Sequence, residues 1–90
     1  MENNYQYSTE DLQARDRAHV IHSFSDLSAL KEDNCTVMTG SDGIYVKDSD
    51  GNQFIDGIGG LWCVNIGYGR EEMIDAIADQ LRQIPFYSSF

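Results

Sequence analysis

Gly43-Ile44-Tyr45-Val46-Lys47-Asp48-Ser49-Asp50-Gly51-Asn52-Gln53-Phe54-Ile55-Asp56 decides the fold. Ile44 to Lys47 is β-branched and aromatic, the composition that suits a pleated strand. Asp48-Ser49-Asp50-Gly51 is a hairpin signal, with Gly51 supplying the positive φ that the turn requires. Gln53 to Asp56 is the return strand. Upstream, Thr36 to Thr39 reads as another strand, and Gly40-Ser41-Asp42-Gly43 as the turn that follows it. The expectation is a three-stranded antiparallel meander over about residues 36–57.

Helices flank this meander. Residues 1–7 are polar with two Tyr and read as a loose tail. Ser8 or Thr9 can cap a helix, with Glu10 and Asp11 in its first turn, where the helix dipole favours anions. That helix ends by His19 to His22, and Asp26 caps a short second one over Leu27 to Lys31, completing a helical arm over 8–34. Downstream, Met73, Ile74, Ile77, Leu81 and Ile84 form one apolar face. Glu71 and Glu72 open that helix, Arg82 closes it and Pro85 stops it, which places it at 70–84. An apolar stub, 85–90, follows. The fold class is α+β, in one segment.

Gly57 to Gly69 is unlike the rest: it holds five of the eight glycines and the only Trp, and no charge. It is too glycine-rich for a stable strand and too apolar for an exposed loop. It reads as a buried, irregular connection, either a tight internal turn or a wall against which a ligand or another subunit packs.

The 90 residues carry fifteen acidic and six basic side chains, a formal charge of −9. No cluster of Lys and Arg offers a phosphate-binding surface, so neither nucleic acid nor an anionic membrane is an expected partner. No apolar run approaches the roughly 18 residues of a membrane span, and the start has no secretory or transit pattern. Cys35 and Cys63 have no paired metal-ligand spacing and read as reduced, buried thiols in a cytoplasmic protein.

Three site patterns fail on spacing. Asp48 and Asp50 before Gly51 suggest a calcium loop, but Val46 and Gly57 occupy positions where ligands are needed. A dinucleotide fingerprint starting at Gly57 would need glycine where Trp62 stands. His19 and His22 have a metal-compatible i, i+3 spacing and no evident third ligand. No catalytic, cofactor-binding or metal residue is assigned within the chain.

The hairpin, the run Gly60-Leu61-Trp62-Cys63-Val64-Asn65-Ile66-Gly67-Tyr68-Gly69-Arg70, the element His22-Ser23-Phe24-Ser25 and the closing Ile84-Pro85-Phe86-Tyr87-Ser88-Ser89-Phe90 together resemble the opening of class III pyridoxal-phosphate aminotransferases. The likeness is to the omega-transaminase branch, and it runs from about Asp16 to the end. It implies the opening segment of a fold type I enzyme without its large domain. The cofactor would be pyridoxal 5'-phosphate. The reaction would move an amino group from an amine or omega-amino acid to a 2-oxo acid such as pyruvate, in a homodimer.

By the resemblance, the cofactor lysine, the acid that pairs with the pyridine nitrogen and the phosphate loop lie downstream. Lys31 and Lys47 match no Schiff-base position. The resemblance makes Leu61 and Trp62 the substrate side of the pocket. Phe24 would help to close it, and Phe90 would reach it near the dimer interface. Met1 at one end and an apolar stub at the other make a truncated chain, inactive alone, the expectation. The alternative is a non-catalytic binding or interaction module derived from that segment.

Overall fold

A computed structural model describes residues 7–90 of the chain. Ser8 caps the first helix, α1 (Thr9–His19), its hydroxyl oxygen accepting from the Asp11 amide at 3.2 Å. The Arg15 guanidinium lies 4.1 Å above the Tyr7 ring, a cation–π contact that fixes the approach to the helix. The remainder of the expected loose tail, residues 1–6, lies outside the described residues. Asp26 caps α2 (Leu27–Asp33), accepting from the amides of Ser28 and Ala29.

The sheet has the expected order, β1 (Met38–Asp42), β2 (Tyr45–Asp48) and β3 (Gln53–Ile55), all antiparallel. The strand boundaries differ from the sequence reading: β1 starts at Met38 and not Thr36, β2 runs one residue later and β3 ends one residue earlier. Gly40-Ser41-Asp42 is strand, not turn: Gly40, Ser41 and Asp42 pair with Lys47, Val46 and Tyr45. A register shift between Met38 and Gly40 lets β1 continue, and the reversal shrinks to Gly43-Ile44. Gly43, at φ +59°, takes the first place of that two-residue turn, where positive φ is required.

The second hairpin is built on Asp48, the only buried residue among those described. Its carboxylate accepts from the amides of Asp50 at 3.0 Å and Asn52 at 2.8 Å, and from the Asn52 side chain at 2.9 Å. The Asn52 side chain, first, holds the Asp48 carboxyl below the usual carboxylate range. The acidic loop is therefore a self-satisfied turn, as its spacing implies. The Thr9 hydroxyl donates to the Asp50 carboxylate and shares a hydrogen bond with the Ser49 hydroxyl, both at 2.8 Å, and so pins α1 to this hairpin.

After β3 come one short turn, α3 (Gly59–Trp62), and the long helix α4 (Glu71–Gln83). Tyr68 returns to the sheet and exchanges two backbone hydrogen bonds with Gly43, at 2.8 and 3.1 Å. No helix among the described residues is long and apolar enough to cross a membrane.

Among the described residues no apolar side chain is buried. The whole apolar face of α4 (Met73, Ile74, Ile77, Leu81) stands about half exposed to solvent. The accessible surface is 7686 Å², about 2,400 Å² more than the roughly 5,300 Å² of a compact monomer of this mass. The radius of gyration, 15.9 Å, compares with about 12 Å for a compact chain of this length. Backbone pairing and turn chemistry shape the segment, and hydrophobic burial does not close it. Produced alone, the 90-residue polypeptide is expected to bind the dye ANS strongly and to melt without a sharp heat-capacity peak. A sharp peak with equal calorimetric and van't Hoff enthalpies contradicts this.

Candidate functional site

The turn α3 is left-handed. Gly59, Gly60, Leu61 and Trp62 have φ of +56°, +60°, +70° and +68° in succession. The Trp62 amide closes onto the Ile58 carbonyl at 2.9 Å and the Cys63 amide onto Gly59 at 3.0 Å. Side chains disfavour this hand because Cβ approaches the following carbonyl, at a cost of roughly 1–2 kcal/mol per residue. Glycine avoids the penalty at the first two positions; Leu61 and Trp62 do not. Gly60 is needed for a second reason, since a Cβ there would lie 2.7 Å from Val64 Cγ2.

One carboxylate organises the turn. Asp56 Oδ2 accepts from the Gly60 amide at 2.8 Å and from the Tyr68 hydroxyl at 2.6 Å, and Oδ1 accepts from the Ile58 amide at 3.3 Å. The Tyr68 hydroxyl above all, then the backbone amides, hold the Asp56 carboxyl below the usual carboxylate range. Asp56 in turn pushes the Tyr68 phenol up. Both are half-buried and line an open cleft of about 460 Å³ beneath the sheet, with Thr39, Val46 and Ile58.

The four residues singled out from sequence fall in three places. Leu61 and Trp62 share the left-handed turn, and the indole is 84% exposed. Phe24 sits between α1 and α2 at φ +54° and 99% exposed, and Phe90 is fully exposed beyond α4. Exposure this complete leaves neither phenyl ring packed on the turn. The run Gly57 to Gly69 is irregular, as its glycines imply, but Leu61 and Trp62 face solvent where the sequence reading expected burial. Cys63 is likewise exposed, its thiol donating to the Gly60 carbonyl at 3.1 Å, and only Cys35 is half-buried.

Sequence reasoning missed Asp56 and Tyr68. Asp56 reads as a strand end and Tyr68 as one more residue of the glycine-rich run. The available signal is Asp56 four residues before Gly60, inside a cluster of glycines.

A second cluster involves His22. Its Nε2 lies 2.8 Å from Asp16, and the donor atoms of Asp16, His22 and Cys35 all fall within 4.8 Å of one another. His19 is not part of it. Asp16 is held below its usual range by the bond to His22 and then by the Cys35 thiol, while burial, then Asp16, pushes that thiol up. These contacts join α1 to the segment after α2.

Among the described residues, no lysine or arginine lines the cleft beside the turn. Lys31 lies in the last turn of α2, and Lys47 is on β2 opposite Gly40 and Gln53. Asp56 is committed to its turn. The turn has the chemistry of a wall: an aliphatic and an indole side chain on a fixed backbone.

The family description "Aminotransferase class-III" matches residues 27–90. The chain is 44% identical over 82 residues to the putrescine–pyruvate aminotransferase of Pseudomonas aeruginosa, covering 91% of this chain and 18% of that protein. Its fold matches an (S)-enantioselective omega-transaminase from Thermomicrobium roseum with a TM-score of 0.87 at 34% identity, over 96% of this chain and 19% of that one. It also matches a thermostable omega-transaminase in which a tryptophan is replaced by glycine, engineered for asymmetric synthesis of enantiopure bulky amines. There the TM-score is 0.79 at 28% identity, over 88% of this chain and 18% of that one. The chain belongs to the class III aminotransferase family, and its α+β fold is that of the N-terminal part of omega-transaminases. It spans about a fifth of the length of these relatives.

In the complete polypeptide, Gly60→Ala is expected to destabilise by about 1–2 kcal/mol or more, through positive φ and the contact with Val64. Thermal denaturation checks this, and an unchanged melting temperature contradicts it. The stabilisation by Asp56 has a defined pH window. Its folded pKa lies below the unfolded value of about 3.9, so the contribution is whole above about pH 4 and is lost as pH falls through the folded pKa. The gap in melting temperature between the native protein and Asp56→Asn should therefore narrow on acidification below about pH 4. A gap that widens there contradicts the assignment.

Proposed function

We propose that the chain is the N-terminal part of a pyridoxal-phosphate-dependent omega-transaminase, and that Gly59–Trp62 forms a wall of its amine pocket. The observation that carries this reading is the left-handed turn, which holds Leu61 and Trp62 at positive φ and turns the indole to solvent. Backbone strain of this kind persists where surrounding structure enforces it, and it gathers at ligand sites. A large, exposed indole on a fixed backbone is a surface awaiting a ligand or a covering chain.

The donor on this reading is an amine or omega-amino acid and the acceptor a 2-oxo acid such as pyruvate. That pairing agrees with the name of the Pseudomonas aeruginosa relative, a putrescine–pyruvate aminotransferase. When bound, pyridoxal phosphate supplies the electron sink for amino transfer. The groups that hold it belong to polypeptide beyond the residues described above. Leu61 and Trp62 take the apolar substituent of the amine and exclude water from it. Phe24 and Phe90, exposed in this segment, join the pocket when the remaining chain and a second subunit cover them. The same cover accounts for the open face of α4, as an obligate homodimer interface and domain body would. The two free thiols agree with a cytoplasmic location. A self-standing binding module is disfavoured, because such a module needs a core.

The test is amino transfer to pyruvate by the complete polypeptide loaded with pyridoxal phosphate. Trp62→Gly should raise kcat/KM for a donor with a bulky substituent by about tenfold or more, relative to a small donor. The engineered tryptophan-to-glycine relative supports that direction. Unchanged preference together with a large loss of stability would identify Trp62 as interior packing.

A further inference from the structure

We infer that Asp56 and Tyr68 are the positioning residues of this pocket wall: together they fix the direction in which Leu61 and Trp62 project. The inference rests on the pocket reading just given, and it assigns roles to two residues outside the wall itself. Three features carry it.

The first is connectivity. A single carboxylate gathers the amides of Ile58 and Gly60, at the entry and second residue of the turn, and the hydroxyl of Tyr68 beyond its exit. It thereby closes a ring around Gly59–Trp62 from both sides. The second is the anchorage of that ring. Asp56 follows β3 directly, its amide donating to the Ile44 carbonyl at 2.8 Å, while the Tyr68 backbone bridges to Gly43 at the other end of the same hairpin turn. Both ends of the ring are therefore fastened to the sheet, so the wall is registered to a rigid element.

The third is the conformation it maintains. Leu61 and Trp62 occupy a backbone region that their side chains oppose, and both are largely exposed, so packing within the segment does not hold them there. Hydrogen bonds to an ionised carboxylate are short and about twice as strong as neutral ones. Together with the backbone bonds that close the turn, they are the interactions present that hold the left-handed conformation. Without the Tyr68 hydroxyl or the second carboxylate oxygen, the turn can relax toward right-handed φ and swing the indole away from the position it holds.

The experiment uses the complete holoenzyme with pyruvate as acceptor and donors of two sizes, 1-phenylethylamine and putrescine. Tyr68→Phe and Asp56→Asn should each raise KM for 1-phenylethylamine by about tenfold while kcat changes less than about twofold, as loss of one charge-assisted hydrogen bond predicts. In the Trp62→Gly background the same substitutions should change that KM less, because one of the two side chains they position is gone. An unchanged KM overturns the inference. So does an effect that persists undiminished in the Trp62→Gly background, or an equal fall in activity with both donors. If Asp56→Asn fails to fold, Tyr68→Phe decides, since it keeps the carboxylate and both backbone bonds. Should Trp62→Gly alone leave selectivity between the two donors untouched, the pocket reading is what fails. If Trp62→Gly shifts selectivity and Tyr68→Phe does not, the pocket reading stands and the positioning role falls.

Discussion

A left-handed turn of four residues, two of them not glycine, is an unfavourable structure that must be imposed. Here the Asp56 carboxylate imposes it by accepting from backbone on one side and from Tyr68 on the other. The rest of the segment supplies what this bond network needs. The β-meander fixes where Asp56 lies and where Tyr68 re-enters, Gly60 makes room against Val64, and the Asp48 turn joins β2 to β3. That division of labour explains how a segment without an interior can still define one local geometry.

The absence of a core also bears on function. Domains bury one face of each helix and sheet against another layer. In this segment the face of α4 and the turn that bears Trp62 have no such layer. The chain belongs to the class III aminotransferases, whose relatives are about five times as long, and on the proposed reading the rest of such an enzyme and a second subunit supply the cover. On the proposed reading, a pocket wall tied to the sheet in this way costs less to order around a substrate.

Much of the architecture is legible in the residues. The apolar spacing of Met73, Ile74, Ile77 and Leu81, bracketed by two Glu and Pro85, marks α4, and Asp48 to Gly51 marks the hairpin. Ser8 and Asp26 cap the helices that their positions imply. The end of β1 is not legible, because Gly40-Ser41-Asp42 has turn composition and is held in the strand by pairing with β2. The exposure of Leu61, Trp62 and Cys63 is hidden for a related reason. Apolar composition indicates that a surface is to be covered, without indicating that the same ninety residues cover it. The handedness of the turn depends on Asp56 reaching Tyr68 twelve residues away, a contact that only the folded meander creates.

The most direct measurement is a crystal structure of the complete polypeptide with pyridoxal phosphate and a bound amine. The Trp62 indole should lie in van der Waals contact with the amine substituent, at about 4 Å, with Asp56 still bonded to Tyr68. An indole turned into packed interior away from the amine, on a turn of ordinary right-handed φ, would contradict the account.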